Sequence, residues 1–265
     1  MTGASLESIL SFTQERVAAL RHRVRELERA AASVRSPRPF GPALQGASVG
    51  VIAEVKRRSP SGGEIREDLD PVVHAQAYVA GGAVALSVLT DERHFGGSLQ
   101  DLERITRAVP VPALRKDFIL DELQFLEARA AGASAVLLIA RILGPDRLAA
   151  LSREAHGMEL GVLVEVHSLP ELDPALAARP TALGVNSRDL DTFAVDAGIF
   201  ESLLPLVPRD VPAVGESGIE TRADVERVAA AGADLVLVGT SVARAADPAA
   251  AVRALVGVPR IGRSR

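Results

Sequence analysis

The chain has 265 residues, 48% of them hydrophobic, with a formal net charge of −4 and no cysteine. That composition can bury a large core, gives no electrostatic reason to bind nucleic acid or an anionic membrane, and excludes disulfides, thiolate metal sites and cysteine nucleophiles. It fits a reducing cytoplasm, the expected location, and makes small-molecule chemistry the leading expectation.

The N-terminal stretch lacks the basic-then-apolar order of a signal peptide. Leu6, Ile9, Leu10, Thr13, Val17, Leu20, Val24 and Leu27 recur every three or four residues, with Arg16, Arg21, Arg23, Arg25 and Glu26 mostly between them. This spacing predicts one amphipathic helix that ends before Pro37 and Pro39, followed by a loop to Gly50. From Gly50 to Gly239, short apolar, β-branched runs alternate with longer stretches rich in Ala, Leu, Arg and Glu, the texture of βα units. The predicted strands are Val51–Lys56, Val84–Leu89, Pro112–Lys116, Ala135–Ala140, Gly161–Val166, Ala182–Asn186, Pro212–Glu216 and Leu235–Gly239. The longest apolar run, around Ala135–Ala140, falls far short of the roughly 20 residues that cross a bilayer as a helix, so no membrane partner is expected.

Gly82, Gly132 and Gly232 each stand between a helical stretch and a strand, 50 and 100 residues apart. Glycine there suits the left-handed turn that closes a helix, and the spacing fits repeated units of about 25 residues. Eight such units close a (β/α)8 TIM barrel. The rival, an open doubly wound sheet, would carry a Gly-rich fingerprint after its first strand, where this chain reads RRSPSGG. The expected organisation is α/β: one (β/α)8-barrel domain over 1–265, with a helical extension and loop over 1–48 and the barrel over 49–257.

Strands of a parallel barrel are buried on both faces, so charge inside them is costly. Here Glu54 and Lys56 end the first strand, Lys116 the third, Glu165 the fifth, Asn186 the sixth and Glu216 the seventh. All lie at the C-terminal ends, where barrel enzymes build their sites. Residues two apart in a strand share a face, so Glu54 and Lys56 both look into the mouth. Lysines beside glutamates can hold anions and move protons. By strand alternation His167 is expected to point away from Glu165, and with no third ligand beside the pair it reads as a loop histidine, which leaves no Ser-His-Asp arrangement and no metal centre. Glu216-Ser217-Gly218-Ile219 and Gly239-Thr240-Ser241 expose backbone N–H groups where barrels bind phosphate, and the segment Ser59-Pro60-Ser61-Gly62-Gly63 lies where it could close over the same group.

The segments IAEVKRRSPSGG, SVLTDERHFGGS, LRKDFILDE, LVEVHS, GVNSRDLDTF, ESGI and VGTS occur in the order and spacing of the indole-3-glycerol phosphate synthase family, which the chain resembles over nearly its whole length. The resemblance implies a barrel with an extra N-terminal helix near its mouth and a step of tryptophan biosynthesis. In that step 1-(2-carboxyphenylamino)-1-deoxyribulose 5-phosphate becomes indole-3-glycerol phosphate, carbon dioxide and water, without cofactor or metal. It gives Lys116 the protonation of the ribulose C2 oxygen during ring closure, and Lys56 the substrate carboxylate and a later proton transfer. Glu54 orients that lysine, Glu165 does acid/base work in the dehydration, Asn186 holds substrate hydroxyls, and Glu216 with Ser217 completes the polar wall. By the same resemblance Ser59, Gly218, Gly239 and Thr240 grip phosphate, and Leu89, Phe95, Phe118, Leu137 and Leu190 wall the anthranilate ring. Arg188 and Leu237 complete the implied substrate-binding set.

Two positions depart from the family pattern: His94 stands where an aromatic residue is common, and Thr240 replaces a frequent serine. A phosphoribosyl isomerase of the same pathway would need a catalytic cysteine. A silent scaffold or nucleic-acid binder using RHRVRELER would not need polar groups at so many strand ends. The expected partner is a phosphorylated small molecule, with no nucleic acid and no membrane, for a monomer or weak homo-oligomer. The N-terminal helix has one alternative use, as a short dimerising coiled coil.

Overall fold

A computed structural model describes residues 5–59, 63–66, 68–196 and 198–263; Pro60, Ser61 and Gly62 of the loop after the first strand lie outside the described residues. The strands are β1 (Gly50–Val55), β2 (Ala85–Leu89), β3 (Ala113–Lys116), β4 (Ala135–Ile139), β5 (Gly161–Val166), β6 (Ala182–Asn186), β7 (Ala213–Glu216) and β8 (Leu235–Val238). Each pairs in parallel with the next, and β8 pairs with β1, so the sheet closes into an eight-stranded barrel ringed by helices. Every strand boundary lies within one residue of its predicted place. Gly82, Gly132 and Gly232 adopt the expected left-handed backbone, with φ of 105°, 77° and 108°. No helix among the described residues is long and apolar enough to cross a membrane.

The period-two alternation of the strands divides the apolar residues into two cores. Val51, Leu86, Val136, Val162 and Leu183 face outward against the helices. Ile52, Leu114, Leu163, Val214 and Leu235 face inward and fill the barrel. Fully burying one such side chain is worth about 1.5–3 kcal/mol relative to leaving it in water. The same parity positions the site. Glu54 follows Ile52, Lys116 follows Leu114, Glu165 follows Leu163 and Glu216 follows Val214, each two residues on, so the charged groups crown the apolar interior at its C-terminal rim.

Two expectations about the N-terminal segment need correction. The predicted single helix is two, α1 (Leu6–Leu20) and α2 (Val24–Ser33), broken at Arg23, whose φ of −118° and ψ of 11° leave the helical region. The break lets the two pieces bury different faces. Ile9, Thr13, Val17 and Leu20 of α1 are buried, and Ile9 joins the inner core. Leu27 and Ala31 of α2 are buried where it packs along the helix Leu123–Ala130. The apolar step Leu20–Val24–Leu27 runs through the break, so periodicity could not reveal it. The stretch expected to be loop up to Gly50 contains a helical turn, α3 (Phe40–Ala43), whose Phe40 and the following Leu44 are buried in the inner core. Phe40 closes the end of the barrel opposite the charged rim: a Cβ on Gly161, the first residue of β5, would stand 2.8 Å from the Phe40 Cβ.

Candidate active site

A cavity of about 600 Å³ opens at the C-terminal ends of the strands. Every residue expected from the sequence to bind or react lines it: Glu54, Lys56, Ser59, Leu89, Phe95, Lys116, Phe118, Leu137, Glu165, Asn186, Arg188, Leu190, Glu216, Ser217, Gly218, Leu237, Gly239 and Thr240.

The segment Arg115-Lys116-Asp117-Phe118 shows how local sequence aims these groups. Lys116 and Phe118 point inward while Arg115 and Asp117 point between the strands and the outer helices. Arg115 is fully buried. Its guanidinium donates to the Thr90 hydroxyl at 3.1 Å, the Gln124 carbonyl at 2.6 Å, Asp117 at 3.0 Å and Glu127 at 3.1 Å. Asp117 also accepts from Arg16 of α1 at 2.9 and 3.3 Å and from the Thr90 hydroxyl at 2.6 Å. Burial would raise the Asp117 carboxyl, but Arg115 and Arg16 outweigh it and hold it below the usual carboxylate range. The outward pair thus ties α1 to β3 and fixes the strand end that carries Lys116.

Around Lys116 the rim is a cluster of buried charge. Its Nζ lies 3.3 Å from Glu165 Oε2 and 3.8 Å from Glu216 Oε2. Burial would lower the ammonium, yet Glu165, then Glu216 and Glu54, hold it above its ordinary value, so it stays charged. Burial likewise pushes Glu165 up, and Lys116 followed by His167 overcomes this and holds it well below the carboxylate range. Glu216 moves the other way. Burial and the neighbouring Glu165 charge push it well up, more strongly than Lys116 pulls it down, so Glu216 holds a proton more readily than Glu165 does. Across the mouth, Lys56 Nζ contacts Glu54 Oε1 at 2.8 Å, and burial of Glu54 is outweighed by Lys56 and then Lys116.

Two glycines make room for this cluster. A Cβ on Gly239 would stand 2.5 Å from Glu54 Oε1 and 3.1 Å from Lys56 Nζ, and one on Gly184 would stand 2.0 Å from Glu216 Oε1. Gly239, expected only as a phosphate contact, therefore also frees space for the Glu54–Lys56 pair. At the small-residue end, Ser217 and Gly218 both take left-handed backbone, with φ of 69° and 64°, turning the chain directly after β7. The opposite wall is apolar. Phe95 and Phe118 rings stand 6.3 Å apart, beside Leu89, Leu137 and Leu190.

One expectation fails outright. His167 does not turn away from Glu165: its Nε2 lies 3.3 Å from Glu165 Oε1, because residues two apart in an extended chain share a face. His94, one of the two positions read in the sequence as departing from the family pattern, meets the Phe12 ring of α1 edge-on at 5.7 Å.

Sequence reasoning missed several lining residues, among them Asp91, Ile139, Phe193 and Arg244. Asp91 had a legible signal, since Asp is a preferred helix cap. Its carboxylate accepts the backbone N–H groups of His94 at 2.6 Å and Phe95 at 3.3 Å, which sets the aromatic wall. Arg244 ends the short helix Thr240–Arg244 that begins at the small-residue turn, a cation placed one helical turn from Thr240.

Known proteins match this architecture at two levels. The closed barrel resembles thiamine phosphate pyrophosphorylase from Pyrococcus furiosus, with a TM-score of 0.58 at 19% identity over 78% of this chain and 93% of that one, a likeness of fold alone. In sequence the chain is 48% identical to an indole-3-glycerol phosphate synthase from Nocardioides sp. over 233 residues, 88% of this chain and 90% of the relative. It is 45% identical to that of Opitutus terrae over 257 residues, 93% and 96% of the two chains, and 43% identical to that of Mycobacterium avium over 253 residues, 95% and 93%. The indole-3-glycerol phosphate synthase family model matches residues 6–255. With a family match over residues 6–255 and relatives at 43–48% identity over 88–95% of it, the chain belongs to the indole-3-glycerol phosphate synthase family.

Proposed function

We propose that the residues at this barrel mouth carry out the family's ring closure, decarboxylation and dehydration in the roles that follow. The observation that carries the assignment is a charged lysine, Lys116, set among Glu165, Glu216 and Glu54 in the same cavity as the Phe95–Phe118 wall. Substrate phosphate sits against the backbone at Gly218, Gly239 and Thr240, with Ser59 and Arg244 at the same end. The anthranilate ring lies in the apolar slot. Lys116 Nζ donates its proton to the ribulose C2 oxygen as the ring carbon attacks C2. Its partners hold that proton until negative charge develops on the oxygen, which is when general-acid help is worth most. Lys56 meets the substrate carboxylate, and the dry slot favours its departure as carbon dioxide. Ionised Glu165 then takes and returns protons in the loss of water, with Asn186 holding the hydroxyls.

Purified protein given 1-(2-carboxyphenylamino)-1-deoxyribulose 5-phosphate is expected to release carbon dioxide and develop indole fluorescence in equal amounts. Correctly folded protein that leaves the substrate unchanged would overturn this reading.

A further inference from the structure

His167 has no task in the reaction as described. β5 ends at Val166, and the imidazole of the next residue stands on the same side as Glu165. Its Nε2 lies 3.3 Å from Glu165 Oε1, while Lys116 Nζ lies 3.3 Å from Oε2 of the same carboxylate. On the far side of the ring, Nδ1 lies 3.7 Å from Glu171 Oε2. Glu171 is itself fixed in the first turn of the helix Leu169–Ala177: Oε2 accepts the His167 backbone N–H at 2.8 Å, and Oε1 accepts the Ser168 hydroxyl at 2.7 Å. The His167 side chain is 5% exposed and stands behind the cavity, whose lining includes Glu165.

Capping the helix would account for Glu171 alone. It does not account for a buried imidazole set between that carboxylate and one that faces the substrate cavity. Such a ring is stabilised there by carrying a positive charge, with each carboxylate compensating it. Burial would lower the imidazole, but Glu165 and Glu171 outweigh it and push it up to about 9. Charged and polar groups beside this His167 relay include Lys116, Asn186 and Glu216 on the cavity side of Glu165, and Ser168 and Arg141 near Glu171, the latter itself paired with Asp189 and Asp191.

We propose that His167, held as an imidazolium by Glu171, is a positioning residue for Glu165. It fixes one carboxylate oxygen and keeps the group ionised, while the other oxygen stays with Lys116. The proposal rests on the reading of Glu165 as the acid/base group of the dehydration. It adds a second carboxylate, Glu171, outside the cavity, whose removal alters the reaction without touching substrate.

The test compares wild type, His167→Gln and Glu171→Gln in turnover from pH ~6 to ~10, the span in which an imidazole can titrate. The wild-type kcat is expected to decline as pH rises through about 9. In Glu171→Gln, which retains the size and a hydrogen-bonding oxygen of the cap, this decline moves to lower pH. In His167→Gln it is lost, and kcat at neutral pH falls on the order of tenfold to a hundredfold, the worth of one opposite charge beside a buried carboxylate, with KM nearly unchanged. An unmoved profile in Glu171→Gln, or wild-type kcat in His167→Gln, overturns the proposal. Imidazole nitrogen resonances read by NMR without substrate decide it independently of turnover. A protonated His167 at neutral pH that titrates lower in Glu171→Gln supports it, and a neutral ring overturns it. A failure of wild-type turnover alongside a protonated His167 overturns the assigned reaction and leaves the positioning geometry standing.

Discussion

Gly184 should be irreplaceable by alanine, although it is neither charged nor expected to contact substrate. It lies on the inner face of β6, opposite Glu165 of β5 and Val214 of β7. An alanine Cβ would stand 2.0 Å from Glu216 Oε1, 3.1 Å from its Cδ and 3.4 Å from Leu163 Cδ1. Glu216 is 1% exposed, so its carboxyl cannot swing into solvent. To reach ordinary contact it must retreat by more than about 1 Å within a close-packed rim. Overpacking of this kind costs about 1–3 kcal/mol, which corresponds to a fall in Tm of roughly 2–12 °C for a domain of this size. Displacing a catalytic group by about 1 Å can cost on the order of a hundredfold in rate. Gly184→Ala is therefore expected to melt lower and to lose roughly ten- to a hundredfold in kcat, read by calorimetry and by indole fluorescence. The double variant Gly184→Ala/Glu216→Ala should recover most of the lost Tm but none of the activity, since the two positions are in contact. Wild-type Tm and kcat in Gly184→Ala would refute the placement of Glu216 against β6.

Two further outcomes concern stability. Arg263 is 2% exposed at its side chain and donates to the carbonyls of Val207, Pro208, Val211 and Gly232 as well as to Asp234. Arg263→Ala removes a donor from each of these groups, while Asp234 keeps the Ala213 N–H and Arg260, so thermal unfolding should show a loss of about 1–3 kcal/mol; a shift under about 0.5 kcal/mol contradicts it. Glu216 has its folded pKa raised by burial and then by Glu165. Its contribution to stability is fully present below the unfolded carboxyl value near pH 4 and is lost as pH rises towards the folded value. Glu216→Gln, neutral throughout, escapes that loss, so the variant's Tm relative to wild type should climb as pH increases above about 4. A difference that stays flat from pH ~4 to ~8 contradicts the upward displacement of the Glu216 carboxyl.

Much of the architecture was legible because the strand signal and the charge signal reinforce each other. A run such as Val51-Ile52-Ala53 announces a strand, and Glu54 and Lys56 breaking it announce which end is special. The helix break at Arg23 was not legible, since Leu20, Val24 and Leu27 keep helical spacing while the two halves face different partners. The plug made by Phe40 and Leu44 rests on two apolar residues, too few to show a period. The Arg115–Asp117 network was hidden because Arg16 lies 101 residues from Asp117 and becomes its neighbour only when α1 docks. His167 was misassigned for a different reason. Alternation was applied in the wrong sense, since residues two apart share a face and His167 belongs beside Glu165; its second partner, Glu171, belongs to the next helix and reads in sequence as no more than a cap.

Lys116→Met removes the ammonium while keeping most of the aliphatic stem that packs in the rim. If Lys116 supplies the proton for ring closure, single-turnover formation of indole fluorescence should slow by about 10²–10⁴-fold, with substrate still bound to within a few-fold and the barrel still folded. Turnover by Lys116→Met within about tenfold of wild type would contradict that role.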